Sequence, residues 1–330
     1  MKQSNGRPKP LEIIQARMTR SLGKLAKSVD YRSVKSISYL WYYLSSIGKT
    51  PLLVYQMGKV GSMSVYHSLR KALLNTAVYH IHVLTKEGIR LEEDAYFRKS
   101  RKFFHKPAKP GLFQSHYLNK QLSRNKQSTR WKVITLVRDP IARNVSGLFQ
   151  TIERWIPDFY DRYSRKAIDT DELAEIFLHN YHGKRDPYEL PFHWFSAELQ
   201  PVFGIDVLSS EFPKSGGYKI YKSEGVELLL IKLEYLNQCF PAAIKEFLGF
   251  DIPMTSANVA ADKSYYPLYQ EFIRALKLPD AYIEQQYSCA YVQHFYSESE
   301  IDTFIKKWRK VGPLGQRRLA LCLSRPQRME

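Results

Sequence analysis

A glycine-containing loop with a single lysine follows the first short apolar run of the chain. Residues 52–57 (LLVYQM) read as a buried strand, residues 58–64 (GKVGSMS) as a loop, and residues 62–74 as a helix with apolar side chains at helical spacing. Free amides at a helix N-terminus and the helix dipole favour anions, so this loop is suited to a phosphate group. It is not a Walker A loop, because Lys59 precedes the second glycine. An ordinary connection between strand and helix is the alternative.

A second element of the same kind begins with an arginine at the end of a strand. Residues 132–137 (KVITLV) predict that strand, and Arg138 ends it. Asp139 is placed as the N-cap of the next helix and Pro140 as its first residue. Ser146 follows Arg138 by eight residues, about two helical turns into that helix. Arginine binds phosphate through a bidentate fork and serine donates from its hydroxyl. The alternative is a helix start with surface ion pairs only.

In order and spacing, these two elements resemble the sulfotransferases that use 3′-phosphoadenosine 5′-phosphosulfate (PAPS). In that family a lysine-glycine-serine/threonine loop binds the 5′-phosphosulfate, and a strand-arginine-helix-serine element binds the 3′-phosphate. The resemblance implies donor binding by seven residues: Lys59, Gly61, Ser62, Met63, Ser64, Arg138 and Ser146. It implies catalysis by Lys59 as well. The chain departs from the family at Gly58 and Met63, where the family usually has proline and often serine or threonine.

The same resemblance implies two further functional residues. The family takes the acceptor proton with a base, commonly a histidine shortly before the second element, and His116 matches that position, 22 residues before Arg138. An imidazole that titrates near neutrality suits proton abstraction from an alcohol. Many members close a late basic loop over the nucleotide, and Lys263 is the candidate here. A structural histidine and a solvated lysine are the alternatives. The resemblance implies no metal.

Residues downstream resemble glycan-directed bacterial relatives and the capsular polysaccharide synthesis branch of the family. The similar segments are Trp194-Phe195, Glu198-Leu199, 203–207, 228–236, 247–249, Asn258, Lys263, Phe295-Tyr296, Glu300-Ile301 and Lys307-Trp308. With them the resemblance covers most of residues 51–310. It implies a carbohydrate acceptor, in the synthesis of a capsular or other extracellular polysaccharide.

Strands that alternate with helices predict an α/β fold in which a parallel sheet is flanked by helices. The resemblance implies the three-layer, P-loop-like form of that fold. Predicted strands are 52–57, 78–84, 112–116 and 132–137, with a strand pair near 218–221 and 227–233, and the last third is mostly helical. We expect a basic N-terminal arm (1–50), one domain (51–310) and a basic C-terminal tail (311–330).

The charge of the chain is uneven. Its 330 residues include 50 Lys and Arg against 32 Asp and Glu, for a net charge of +18. Residues 1–150 hold 28 basic and 7 acidic side chains, and Ala95–Arg138 holds 12 basic side chains and no acid. A solvated surface is the alternative to a site for anionic ligands. The basic ends lie outside the motifs, which fits peripheral contact with an anionic membrane. No nucleic-acid partner is expected.

Cysteine spacing and hydropathy indicate the cellular compartment in which the protein works. Cys239, Cys289 and Cys322 form no paired motif, so neither a disulfide framework nor structural zinc is expected, and a reducing compartment fits. The most apolar run, 37–48, is too short to span a bilayer and begins too late for a signal peptide, but suits an interfacial helix. His80 and His82 share a strand face without other metal ligands. We therefore expect a cytoplasmic protein, with peripheral membrane attachment as an addition.

Two other functions fit parts of the pattern. A P-loop-type kinase of small metabolites also needs a basic phosphate pocket, but its Walker lysine and magnesium carboxylate are not evident. A non-catalytic protein that binds polyanions or membrane surfaces would use the basic arm and the acid-free stretch. Such a binder would show affinity that falls with salt for any polyanion.

Overall fold

The computed structural model describes residues 31–73, 75–102, 110–125, 130–181, 191–255 and 263–309. Most of the predicted basic arm (1–30), all of the predicted tail (311–330) and Asn258 therefore lie outside the described residues.

A five-stranded sheet forms the centre of the fold. Its strands are β1 (Thr50–Tyr55), β2 (Thr76–Ile81), β3 (Trp131–Val137), β4 (Tyr218–Ser223) and β5 (Val226–Lys232). The spatial order is β2-β1-β3-β5-β4, with β4 antiparallel to β5 and the other pairs parallel. Long buried runs in β1, β3 and β5 explain this arrangement, because strands covered on both faces need no polar alternation. The predicted α/β fold class is confirmed.

Helices surround this sheet, and most of the second half is helical. The first half holds α1 (Tyr31–Ser46), α2 (Ser62–Ala72), α3 (Lys86–Lys102), α4 (Pro110–Asn125) and α5 (Pro140–Gln150). The second half holds α6 (Phe159–Ser164), α7 (Thr170–Tyr181), α8 (Pro191–Trp194), a π-helical turn (Phe195–Leu199), α9 (Gln200–Phe203), α10 (Leu236–Leu248), α11 (Tyr266–Ala275), α12 (Asp280–Tyr287), α13 (Ala290–Phe295) and α14 (Glu298–Trp308). Short 3-10 turns cover Ile152–Arg154 and Leu233–Tyr235.

One predicted strand is wrong. Residues 112–116 lie within α4, which begins at Pro110 and places Leu112, Phe113 and Tyr117 in the interior at helical spacing. A short apolar run cannot by itself distinguish a strand from a buried helix turn. Pro110 at the first helical position is the local signal for the helix, since proline there loses no hydrogen bond.

Residues 37–46 of the most apolar run belong to α1, which packs against α4 and β2. Tyr42 lies against the rings of Tyr79 and Tyr117, with centroids 6.3 and 6.0 Å away. Within the described residues, every helix is too short or too polar to span a lipid bilayer.

Candidate anion-binding site

The loop after β1 and Arg138 after β3 lie at the carboxyl ends of neighbouring parallel strands. From β1 the chain passes to β2 on one side and later to β3 on the other. The crevice between β1 and β3 is therefore the point where the strand order reverses. Open α/β sheets bind ligands at this place.

The backbone of the loop turns through two left-handed residues, Lys59 with φ 75° and Gly61 with φ 76°. Gly61 is the N-cap of α2, and no side chain caps the amides that follow it. The first turn of α2 also lacks an acidic residue. The predicted ligands Ser62, Met63 and Ser64 thus form an uncapped helix N-terminus that carries partial positive charge.

Gly61 and Gly58 offer a matched pair of substitutions. A Cβ on Gly61 would lie 2.4 Å from Leu233 Cδ1 and would sit on a left-handed backbone, whereas a Cβ on Gly58 meets nothing within 4 Å. We expect Gly61→Ala to lower the free energy of unfolding by about 1–2 kcal/mol, mostly from the cost of the left-handed backbone. Gly58→Ala should leave it unchanged. Chemical unfolding of both variants checks this; equal stabilities would show that the loop adopts another conformation.

Four cationic side chains converge on this loop. Arg138 Nη1 donates to the carbonyl of Lys59 at 2.8 Å, and Arg143 Nε donates to the carbonyl of Gly58 at 3.1 Å. The ammonium group of Lys59 donates to Gln150 Oε1. Lys263, the first described residue after a gap, lies close enough for its charge to act on Lys59. Arg138 and Arg143 therefore hold the loop through hydrogen bonds to its carbonyls, and their positive charge lies next to the loop.

The pKa of Lys59 records this concentration of positive charge. Burial, together with the charges of Arg138, Arg143 and Lys263, lowers the pKa of Lys59 to about 8. Burial and neighbouring like charges both destabilise the protonated form of a lysine. A strongly shifted group among like charges is a mark of a functional site. A bound anion would remove the repulsion, so the arrangement favours an anionic ligand.

One face of α5 is directed at the same loop. Arg143 contacts the carbonyl of Gly58, and Gln150, seven residues later, contacts Lys59. Ser146 lies three residues after Arg143 and four before Gln150, so the three side chains share one helix face. Ser146 is half-buried on that face. Ser146 therefore lies on the face of α5 that is directed at the loop.

Buried hydrogen bonds from the C-terminal helices fix the turn from β3 into α5. Asp139 caps α5 by accepting from the amide of Ile141 at 3.0 Å, and it also accepts from Tyr287 Oη and Trp308 Nε1. Tyr291 Oη lies 2.9 Å from the amide and 3.0 Å from the carbonyl oxygen of Arg138. These contacts hold the backbone of Arg138 and so orient its guanidinium toward the loop. The predicted N-cap and Pro140 at the first helical position are confirmed.

A polar cluster of Gln56, Ser62, His80 and His82 lies beside the loop, at the carboxyl ends of β1 and β2. Gln56 Nε2 donates to Ser62 Oγ at 2.8 Å, which leaves the Ser62 hydroxyl proton for His80 Nε2, also at 2.8 Å. Burial lowers the pKa of His80 to about 3, so this imidazole is neutral. His82 Nδ1 lies 2.9 Å from the carbonyl oxygen of Gln56. A carbonyl only accepts, so Nδ1 of His82 carries a proton, and in the neutral form of this imidazole the lone pair lies on Nε2.

His116 occupies a different neighbourhood. Its Nε2 lies 2.6 Å from Glu93 Oε1, which also accepts from Lys35 Nζ at 3.2 Å. Gln114, two residues earlier on α4, accepts a hydrogen bond from the amide of His80 on β2. Residues two apart on a helix point to nearly opposite sides, so His116 points away from β2. Burial lowers the pKa of His116 despite the opposing effect of Glu93. Among the described residues, these contacts connect His116 to α1 and α3 and not to the loop.

The structure thus brings together most of the residues that the sequence singled out. Around the loop lie Lys59, Gly61, Ser62, Met63, Ser64, Arg138 and Lys263, and Ser146 lies on the helix face that is directed at it. Sequence reasoning missed Arg143, Gln150, Gln56 and the placement of His82. Arg143 and Gln150 had a usable signal, since they share a helix face with Ser146. Gln56 and His82 had none, because their contacts join separate strands.

Comparison with known proteins adds a finding about the second half. Residues 165–297 match a family model described as "Putative capsular polysaccharide synthesis protein". The match includes β4, β5 and Lys263 but excludes the loop and Arg138. It relates this part of the chain to polysaccharide synthesis. No curated protein and no solved structure matches the chain.

Proposed function

We propose that the chain transfers a sulfuryl group from PAPS to a hydroxyl of a carbohydrate acceptor. The observation that carries this proposal is the convergence of Lys59, Arg138, Arg143 and Lys263 on an uncapped helix N-terminus, without an acidic side chain in its first turn. PAPS carries phosphates at the 3′ and 5′ positions of its ribose, which suits cations that lie at the carboxyl ends of two neighbouring strands. The match to a capsular polysaccharide synthesis family supports the carbohydrate acceptor.

The proposed reaction is an in-line displacement at sulfur. An oxygen of the acceptor forms a bond to sulfur while the bond from sulfur to the 5′-phosphate oxygen breaks, and 3′-phosphoadenosine 5′-phosphate (PAP) leaves. Lys59 neutralises the charge that develops on the bridging oxygen, while amides of residues 61–64 hold the 5′-phosphosulfate. Arg138 and Ser146 hold the 3′-phosphate, and Lys263 covers the donor. Positioning and charge stabilisation supply most of the acceleration in such transfers.

We take His82 as the base for the acceptor proton, with His116 as the alternative. His82 is exposed beside the loop, and its Nδ1 is bound to the Gln56 carbonyl, so the neutral ring would accept a proton at Nε2. His116 is engaged with Glu93 instead. His82→Ala should lower kcat by about 100-fold or more, within the usual contribution of a general base. The matched variant His116→Ala should leave kcat within about threefold of wild type. The reverse pattern would assign the base to His116.

Donor binding should take up a proton near pH 8. In the free protein Lys59 has a pKa of about 8, and a bound anion raises that pKa by favouring the charged form. We expect Lys59 to take up about half a proton per PAP bound at pH 8. At pH 6 Lys59 is already protonated and takes up none, while the phosphates of PAP, with a second pKa of about 6, release protons to the solvent. Affinity should fall as the pH rises above 8. Calorimetry in two buffers with different ionisation enthalpies measures the proton uptake. The substitution Lys59→Met should abolish the uptake. Uptake that survives this substitution would mean that another group takes up the proton.

Transfer itself is tested with PAPS that carries radioactive sulfur and a panel of capsular and extracellular polysaccharides. We expect label to enter at least one polysaccharide and mass spectrometry to find the added sulfate. Arg138→Ala should abolish transfer, whereas Arg130→Ala, an exposed arginine just before β3, should retain it. Equal transfer by the two variants would contradict the assigned site. PAP binding without transfer to any polysaccharide would contradict the assigned reaction.

A further inference from the structure

Helix α1 presents an apolar face that the rest of the described structure does not cover. Its exposed large side chains are Ile37, Leu40, Tyr43 and Leu44, and Ile47 lies just beyond its end; they are 43% to 61% exposed. At 100° per residue they occupy an arc of about 120°. They are five of the nine exposed large hydrophobic side chains among the described residues. Such a contiguous patch marks an interaction surface.

The opposite face of the same helix is already packed. Ser38 is buried, and Tyr39 and Tyr42 lie against Tyr117 of α4. No charged residue occurs between Ser36 and Gly48. Large apolar side chains therefore lie on both the packed and the exposed side of α1, and an apolar stripe of a helix is normally buried. Among the described residues, α4 and β2 cover one side of α1 and leave the other side for a second surface.

The positive charge around α1 favours a partner with an anionic surface. Residues 1–50 contain 10 basic and 2 acidic side chains, and α4, on which α1 packs, lies wholly within the acid-free stretch Ala95–Arg138. Lys120 of α4 lies over the ring of Tyr39 at 4.8 Å. A second copy that packed through the same face, or the chain's own basic residues 1–30, would bring positive charge against positive charge. An anionic partner would be attracted instead.

We infer that α1 docks the protein on an anionic lipid bilayer. The exposed side of α1 is convex and mostly aliphatic. Amphipathic helices insert such a side into the lipid interface and lie parallel to the membrane surface. Protein interfaces rely on aromatic and arginine anchors in pockets, and leucine is under-represented among their hot spots. Basic groups near the helix add attraction to anionic headgroups. This inference is independent of the proposed reaction.

Vesicle sedimentation with the full-length chain tests the inference. We expect wild-type protein to bind vesicles of phosphatidylglycerol and phosphatidylcholine, and to bind pure phosphatidylcholine much more weakly. Leu40→Gln with Leu44→Gln should reduce partitioning about 100-fold, since each buried leucine is worth about tenfold. Phe250→Gln, another exposed large apolar residue, should bind like wild type. Circular dichroism checks the fold of each variant. Ile47→Gln alone, with about a tenfold expected loss, serves if the double variant folds poorly.

Three results would overturn the inference. The first is a wild-type chain that fails to bind anionic vesicles even at low salt, as it would if residues 1–30 covered α1. The second is equal vesicle binding by wild type and by both α1 variants, which would assign binding to basic segments alone. The third is a wild-type dimer on size-exclusion chromatography that dissociates in the double variant, without a change in vesicle binding.

Discussion

Lys59→Met is expected to lower kcat for sulfuryl transfer by about 100- to 1,000-fold, while PAP affinity falls by only about tenfold. The ammonium group of Lys59 matters most when charge develops on the bridging oxygen, so its loss costs more in the transition state than in donor binding. Methionine is an unbranched side chain one atom shorter than lysine, and it leaves the left-handed backbone at this position no more strained than lysine does. Steady-state kinetics together with calorimetry on the same preparation separate the two effects.

Lys166→Met is the matched control for that substitution. Lys166 is the other non-glycine residue with a positive φ among the described residues, at 54°, and its side chain is exposed. Its loss should change neither kcat nor PAP affinity. If Lys59→Met lowered PAP affinity and kcat/KM by the same factor and left kcat unchanged, Lys59 would bind the donor without taking part in the transfer step.

Glu198→Ala is expected to destabilise the fold by about 3–5 kcal/mol. Glu198 is fully buried and accepts from Tyr55 Oη at 2.6 Å, from Thr85 Oγ1 at 2.7 Å, and from the amides of Leu84 and Thr85. Alanine would leave these buried donors without an acceptor, which costs more than the hydrogen bonds themselves. Because Tyr55 ends β1 just before the loop, this carboxylate connects the π-helical turn to the strand that positions the site.

Chemical unfolding measures that loss through the midpoint of the transition. The control is Glu175→Ala on α7, an exposed acid whose removal should change the free energy of unfolding by less than about 0.5 kcal/mol. An equal midpoint for Glu198→Ala and wild type would mean that water or a rearranged side chain replaces the carboxylate.

The parts of the site that the sequence predicts are those fixed by short-range rules. A buried run ending in Arg138, followed by Asp139 and Pro140, predicts a strand and a capped helix from local chemistry alone, and the structure has both. Ser146 then follows from helical periodicity. Arg143 and Gln150 follow from the same periodicity, because residues at intervals of three, four and seven share a face.

Contacts between distant segments were not predictable from the sequence. The bond from Glu198 to Tyr55 spans 143 residues, and that from Arg138 to Tyr291 spans 153. Nothing in the local pattern of residues 195–199 shows that this acid is buried. The wrong strand at 112–116 has another origin, since a short apolar run is ambiguous and Pro110, the local signal for the helix, lies outside the run from which the strand is predicted.

Part of the positive charge of the acid-free stretch Ala95–Arg138 is neutralised by an acid from elsewhere in the chain. Lys132 lies within it, yet its Nζ is 2.5 Å from Glu227 Oε2 and 2.7 Å from the carbonyl oxygen of Phe247. Glu227 is the register partner of Lys132 on β5. Lys132 therefore pairs with an acid supplied by the second half of the chain. At least this one positive charge of the stretch is neutralised within the fold and does not serve an anionic ligand.

Calorimetric titration of the full chain with PAP tests the central claim most directly. We expect saturable binding of one PAP per chain, an affinity at least about 100-fold lower for Arg138→Ala, and an unchanged affinity for Arg130→Ala. Adenosine 5′-phosphate, which lacks the 3′-phosphate, should bind wild type about as weakly as PAP binds Arg138→Ala. Affinity that is the same for any polyanion, falls only with salt and ignores Arg138 would contradict a nucleotide site.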